Sequence, residues 1–384
     1  MIGYLFSGHE FWSASPFLPA ESCRPLMAHR QLKEFANCTP GNKTVRVLSL
    51  RSAFFFSAHP CFALAQVHAQ VPNIFRSSST PADAIHRLSV FVLIITALIF
   101  VIVFSLLAYA VWKFRHRAAD DLREPPQVYG SNQIELAWTV VPVLIVLVLF
   151  FATARVIYTI QDAAPPSGAI EVTAIGHQFW WEFRYPGLGV VTANELHVPV
   201  SAPGNAVPTF IRLTSADTDH SFWVPQLAGK TDLIPNRLNS MWIEPHQIGM
   251  YVGQCAQYCG TQHAKMLLRI YVDSPEDFSK WVAAEKQPAH SADSVAIGRS
   301  IFEKTACINC HAISGTVADG HFGPDLTHLM SRETIASGAA NNSHENLKLW
   351  IHDPESIKPG SLMPAMNLNS QDLEAVTAYM ESLR

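Results

Sequence analysis

Two long uncharged runs dominate the pattern of apolar and polar positions. Leu88 to Trp112 passes 25 residues without a charged side chain, and Leu136 to Ala154 a further 19. Each is long enough to cross a bilayer as a helix. Pro142 inside the second run is costly in a soluble helix but tolerated in a membrane one. Between the runs lie Lys113, Arg115, Arg117 and Arg123, a basic loop that places this connection on the cytoplasmic side. Both chain ends then face outward. A pair of buried core helices is the competing account, and the basic loop argues against it.

After Arg155 the period shortens. Ala169 to Ile175, Phe179 to Tyr185, Val190 to Val198, Pro208 to Ser215, Ser240 to Glu244, Gly249 to Gln254 and Lys265 to Val272 are apolar or alternating, split by Gly, Pro, Asn and Asp. About seven such strands predict a small antiparallel sandwich. Ser274 to about Ala292 reads as a polar linker. A last helix is predicted from about Ser370, with Ser370 or Asn369 as cap, Asp372 and Glu374 in its first turn, and Leu373, Val376, Met380 and Leu383 at helical spacing. Before the first span, Lys43, Arg46 and Arg51, an apolar run from Ala53 to Ala65, and small residues at Ala63, Ala65 and Ala69 resemble a signal peptide cleaved between roughly Ala65 and Gln70. Residues 1–69 are therefore set aside as a signal peptide or an extension.

Composition agrees with a part-embedded chain: 384 residues, only 15% charged, and a mean hydropathy of +0.14. A net charge of -4 and no long basic tract exclude nucleic acid as a partner class. Four of the seven cysteines fall in two close pairs, each beside a histidine, which points to cofactor ligands rather than a disulfide framework.

The first pair lies in the loop between the last two predicted strands, Cys255-Ala-Gln-Tyr-Cys259-Gly-Thr-Gln-His263-Ala-Lys-Met266. Two thiolates, an imidazole and a thioether suit copper; zinc takes Cys2His sets too, and the soft Met266 favours copper. One more ligand is needed, and His220 is the candidate, although a lone histidine is more often solvated or hydrogen-bonded. The second pair is Cys307-Ile-Asn-Cys310-His311, a C-x-x-C-H haem attachment motif. Its thiols add to the haem vinyl groups while the histidine binds the iron. A distal methionine follows in Lys358-Pro-Gly-Ser-Leu-Met363-Pro, with Met366 as rival. His321, His328, His344 and His352 read as ordinary surface or core residues.

Five segments in order carry a family resemblance: Glu135-Leu-Ala-Trp-Thr-Val-Val-Pro, Gly176-His-Gln-Phe-Trp-Trp-Glu-Phe-Arg-Tyr, Asp217-Thr-Asp-His-Ser-Phe-Trp-Val-Pro, Lys230-Thr-Asp-Leu-Ile-Pro-Asn-Arg and Gly253-Gln-Cys through Met266. From Leu88 to about Val272 the chain resembles subunit II of the haem-copper cytochrome c oxidases. Gly298 and Phe302, Gly323-Pro-Asp-Leu and the Gly-x-x-Met363-Pro setting resemble class I cytochromes c. Together they resemble the caa type of oxidase, in which the donor is fused to the acceptor.

That resemblance implies a multidomain chain: a two-helix transmembrane hairpin over 70–160, an all-β cupredoxin-like sandwich over 161–275, a linker over 276–291 and an all-α class I cytochrome c domain over 292–384. It implies a binuclear copper centre, CuA, bridged by Cys255 and Cys259. His220 and His263 would bind one copper each, with Met266 and the Gln257 backbone oxygen as weak ligands. Haem c would be held covalently by Cys307 and Cys310, with His311 and Met363 on the iron. Electrons would pass from an external donor, such as cytochrome c or another periplasmic redox protein, to haem c. From there they would go to the copper pair and to subunit I, where oxygen becomes water. The location implied is the bacterial inner membrane, with both redox domains on the periplasmic side.

Glu135 matches a carboxylate near a proton path in subunit I; an interfacial charge at a helix start is the plainer account. Asp217, Asp232 and Arg237 match positions facing subunit I, and Phe179, Trp180 and Trp181 match the aromatic segment of electron entry. Two departures stand out. Gln257 replaces a Glu that helps hold magnesium in many members, and Phe179 replaces the Trp at which mitochondrial-type enzymes receive electrons. An electron-input subunit of a copper-containing nitric oxide reductase and a copper-binding assembly protein are the rival functions. The haem motif argues against the latter, and the complete copper set against a quinol oxidase subunit.

Overall fold

The computed structural model describes residues 73–115, 127, 129–161, 168–202, 204, 206–290 and 292–384. The signal-peptide reading, and Cys23, Cys38 and Cys61 with it, lie outside the described residues. Both apolar runs are helical, α1 over Thr80–Lys113 and α2 over Asn132–Gln161. Their apolar side chains stay exposed along the length of the helices, as lipid- or partner-facing helices require.

The chain enters α1 and leaves α2 at the same end of the sandwich. The Ser79 hydroxyl accepts from Glu244 N at 2.9 Å, and Trp242 Nε1 donates to Ile160 O at 3.0 Å. These contacts tie both helix ends to one strand region.

Ten strands form the sandwich: β1 Ile170–His177, β2 Trp180–Tyr185, β3 Val190–Ala193, β4 Glu195–Pro199, β5 Thr209–Ser215, β6 His220–Trp223, β7 Thr231–Leu233, β8 Asn239–Ile243, β9 Gly249–Cys255 and β10 Leu267–Asp273. One sheet runs β3-β2-β1-β5-β8 and the other β4-β10-β9-β6-β7. The predicted run Val190 to Val198 is broken at Asn194, whose φ of 63° turns the chain from one sheet into the other. The sheets are not purely antiparallel, because β1 pairs with β5 and β10 with β4 in parallel. Alternation works as expected within each strand. Val172, Ala174, Ile211, Leu213, Leu268 and Ile270 are fully buried between the sheets, each worth about 1–3 kcal/mol of transfer free energy according to size.

The polar linker expected over 276–291 is only partly that. Pro275–Glu285 forms α3, capped by the Ser274 hydroxyl, which accepts from Asp277 N at 3.1 Å. Phe278, Trp281 and Val282 recur at i, i+3, i+4 and pack on the sandwich core. The Trp281 ring stacks on His197 at 4.4 Å. Four charged residues, Glu276, Asp277, Lys280 and Glu285, hid this short apolar stripe in the sequence.

The C-terminal domain holds α4 Ala296–Lys304, β11 Thr334–Ile335, β12 Ala340–Asn341, α5 His344–His352, α6 Pro354–Ile357 and α7 Ser370–Glu381. The Asn369 side chain caps α7, accepting from Asp372 N at 2.9 Å. Leu373, Val376 and Met380 are buried on its inner face with Phe302, Tyr379 and, just past the helix end, Leu383. Gly298 lets α4 cross α7 closely: a Cβ there would lie 1.9 Å from Ala375 O.

Candidate redox centres

The copper-type donors converge because of sheet register. Strand β9 ends in Cys255, and the loop returns to β10 through a helical turn at His263–Lys265, closed by Cys255 N donating to Met266 O at 3.0 Å. Neighbouring β6 places Phe222 opposite Cys255. His220 then reaches the same sulfur from the start of β6, with Nδ1 3.8 Å from Cys255 Sγ.

The two sulfurs are 3.9 Å apart and both cysteines are free, whereas a disulfide needs about 2.05 Å. Cys259 Sγ lies 3.8 Å from His263 Nδ1 and 3.9 Å from Met266 Sδ. Gln257 O is 3.1 Å from Cys255 Sγ. Donor separations near 3.8 Å match the edge of a tetrahedron built on metal–ligand bonds of about 2.1–2.3 Å. The donors do not surround one point. His220, Cys255 and Cys259 lie within 4.8 Å of one another, while His263 and Met266 stand against Cys259. Two half-sites sharing a sulfur edge fit a dinuclear soft-metal centre better than a single zinc.

The thiols share one proton: the Cys259 hydrogen bond, helped by His220, draws the Cys255 pKa far down, and the Cys255 thiolate drives that of Cys259 far up. Bound metal would supply the positive charge needed to displace that proton, leaving Cys255 and Cys259 as the thiolates that hold it. His220 is fully buried, which opposes its charge, yet Asp217 and Cys255 outweigh burial and raise its pKa. Asp217 Oδ1 lies 2.8 Å from His220 Nε2, leaving Nδ1 for the sulfurs.

Gln178, whose role was not legible in the sequence, donates from Nε2 to Cys259 O at 2.6 Å. Trp181 is fully buried and its Nε1 lies 3.4 Å from Met266 O. Its neighbour Trp180 takes the other face of β2 and stacks on His177 at 4.2 Å. Phe179 is buried too, and a Cβ on Gly260 would sit 3.0 Å from its ring.

A second cleft surrounds the haem motif. His311 Nδ1 lies 2.7 Å from Pro324 O, which fixes the ring so that Nε2 is the free ligand atom. Burial holds His311 neutral by lowering its pKa. Gly323 passes so close that a Cβ would be 2.6 Å from His311 Cε1. Cys307 and Cys310 are free thiols at the cleft, whose apolar wall includes Phe302, Leu347 and Ile351. Two thiols, an oriented imidazole and an apolar wall fit covalent haem. Met363 and Met366 both line the cleft, so lining alone does not choose between them.

The cleft is shared. Gln178, Phe179, Trp180 and Asp217 of the sandwich line it beside Cys307 and His311. Elsewhere between the domains, Arg269 Nη1 donates to Thr334 Oγ1 at 2.6 Å and Ser337 Oγ to Leu267 O at 2.7 Å. Glu135 is exposed in the first turn of α2. His344 pairs with Glu374 and Glu381, and His328 meets Gln287 O at 3.1 Å. Neither belongs to a metal-type cluster among the described residues.

Three family models cover the chain in order. "Cytochrome C oxidase subunit II, transmembrane domain" matches residues 67–156, its periplasmic domain 195–273, and "Cytochrome c" 295–384. A cytochrome c oxidase subunit 2 from Alkalihalophilus pseudofirmus is 35% identical over 76% of this chain and 85% of the relative. One from Bacillus sp. PS3 is 32% identical over 71% of this chain and 80% of the relative. A quinol oxidase subunit 2 from Bacillus cereus is 28% identical over 54% and 71% respectively.

Proposed function

The chain belongs to the cytochrome c oxidase subunit II family, and from that premise we propose that it passes electrons from its haem domain to its copper domain and on to subunit I. It is an electron-transfer part of an oxidoreductase complex, carrying CuA and haem c as cofactors. The observation that carries the proposed route is the shared cleft: Phe179 and Trp180 form part of the wall facing Cys307 and His311, and Gln178 reaches from that wall to Cys259 O.

His220, Cys255, Cys259, His263, Met266 and the Gln257 carbonyl would hold the copper pair. Cys307, Cys310, His311 and Met363 would hold the haem. When bound, both groups supply one-electron carriers, the copper pair with its charge spread over two metals. The residues of this chain contribute rigidity. The Asp217–His220, Trp181–Met266 and Gln178–Cys259 contacts restrain the ligands so that little moves when charge changes.

Phe179 and Trp180 line the cleft shared with the haem domain, and Trp181 is buried in the sandwich beside Met266, which supports entry of electrons through haem c from an external donor. Two apolar helices with the sandwich at one end support a membrane anchor with both redox domains on the periplasmic side of a bacterial inner membrane. Glu135, exposed at the start of α2, would face subunit I near a proton path. The full donor set supports copper use and stands against quinol as the direct reductant.

The test is purification of the complex from membranes with metal and haem analysis, followed by rapid photoreduction of haem c. Two coppers and one covalent haem per chain, oxygen uptake, and copper reduction following haem oxidation are expected. One copper, zinc, or a haem that never reduces the copper refutes the proposal.

A further inference from the structure

Four successive residues at the end of α6 and just before Met363 all engage the copper domain. Ile357 O accepts from Lys265 Nζ at 2.9 Å. Lys358 Nζ donates to Phe179 O at 2.6 Å and to Ala336 O at 2.9 Å. Pro359 O accepts from Gln262 Nε2 at 2.6 Å. Gly360, with φ of 79°, lies so close to the copper loop that a Cβ would be 2.7 Å from Thr261 Oγ1. The segment leading to the haem methionine is thus fastened to the loop that carries His263.

Lys358 is the centre of this fastening and its least expected part. It is only 3% exposed, and among the described residues no carboxylate pairs with it. Burial without a counter-ion draws the Lys358 pKa down to about 7, and a lysine so placed is costly unless its N–H groups are well used. Here its amino group joins carbonyls of both domains, donating one hydrogen bond to Phe179 O and one to Ala336 O. Ala336 and Ser337 both take positive φ, 53° and 60°, to present the hairpin between β11 and β12 to it. On the copper side, the Phe179 ring packs against Gly260, next to Cys259.

We propose that Lys358 is a positioning residue that docks the haem domain on the copper domain in one fixed pose, through Phe179 O and Ala336 O. This rests on the route proposed above. Fusion alone raises effective concentration; the buried lysine converts a tether into a seat. It acts through geometry, since it is itself neither a haem nor a copper ligand.

The test uses the purified oxidase complex carrying Lys358→Met, which keeps length and apolar bulk but orphans both carbonyls. Haem c is photoreduced and copper reduction followed, while hydrogen exchange is read at residues 334–338 and 261–265. Transfer should fall about tenfold or more, because two lost hydrogen bonds leave two buried carbonyls unpaired and weaken the docked pose. Exchange should rise in both segments, with copper resonance and the His/Met haem spectrum unchanged. Gly360→Ala, which lifts the same segment without removing the lysine, should slow transfer to a smaller extent and serves if Lys358→Met fails to assemble. Unchanged transfer with both cofactors intact, in whichever variant assembles, overturns the docking role. A wild-type complex in which haem c never reduces copper overturns the route instead.

Discussion

Gly176 sits directly beneath a copper-type ligand, and Gly176→Ala is expected to damage that site without unfolding the domain. An alanine Cβ there would lie 2.7 Å from His220 Cδ2 and 2.9 Å from Cγ, whereas ordinary contact begins near 3.4 Å. Something must give by at least 0.7 Å, the difference between 3.4 and 2.7 Å. Strand β1 resists, being laddered on both sides, with Gly176 opposite Trp181 in β2 and Ser215 in β5. His220 resists less, although Asp217 and Trp181 hold it. A ligand shift of that size exceeds the roughly 0.2 Å over which metal–ligand distances are normally kept. Loss of copper affinity of about 10–100-fold is expected, as for other changes that misdirect a ligand. Copper content after dialysis against a chelator, and the hyperfine pattern of the paramagnetic resonance signal, report it directly. Gly187→Ala is the control, because nothing lies within 4 Å of a Cβ built there. Wild-type copper content and resonance in Gly176→Ala would refute the reasoning.

Other outcomes follow from the same geometry. Met363→Ala should abolish the low-spin His/Met haem spectrum with copper retained, and Met366→Ala should not; the reverse result moves the axial assignment to Met366. Gly298→Ala drives a Cβ to 1.9 Å from Ala375 O. The clash is with backbone and outweighs the helix preference for alanine of about 1 kcal/mol, so a net loss of about 2 kcal/mol in haem-domain stability is expected, read by denaturation on the haem band. Burial raises the pKa of Glu195 above 4.5 against the pull of Arg332 and Arg269. The folded protein therefore keeps a proton that the unfolded chain has lost, and stability falls as pH rises from 4.5 through the folded value. Glu195→Gln should lack that part of the decline in denaturation midpoint; equal slopes in the two proteins would refute it.

Much of this protein is legible without coordinates because its chemistry is local. Cys255, Cys259, His263 and Met266 fall within twelve residues, and Cys307, Cys310 and His311 within five. Short covalent spacing brings such groups together whatever the rest of the chain does. The two apolar runs are equally local, since length and lack of charge suffice to identify a span. Strand alternation and the capped stripe of α7 follow from backbone periodicity.

What the sequence could not decide is every contact that depends on register or on two distant segments meeting. His220 lies 35 residues before Cys255, and spacing alone argued for a solvated histidine; the pairing of β6 with β9 makes it a neighbour of the sulfur. Gln178 and Cys259 are 81 residues apart, and Lys358 and Phe179 are 179 apart. The parallel pairings of β1 with β5 and β10 with β4 and the burial of α3 on the sandwich belong to the same class. A lone lysine, glutamine or short amphipathic stripe carries no periodic signature of its own. Its role is set by which surfaces the packed domains bring against it, and that is a property of the fold rather than of any stretch of chain.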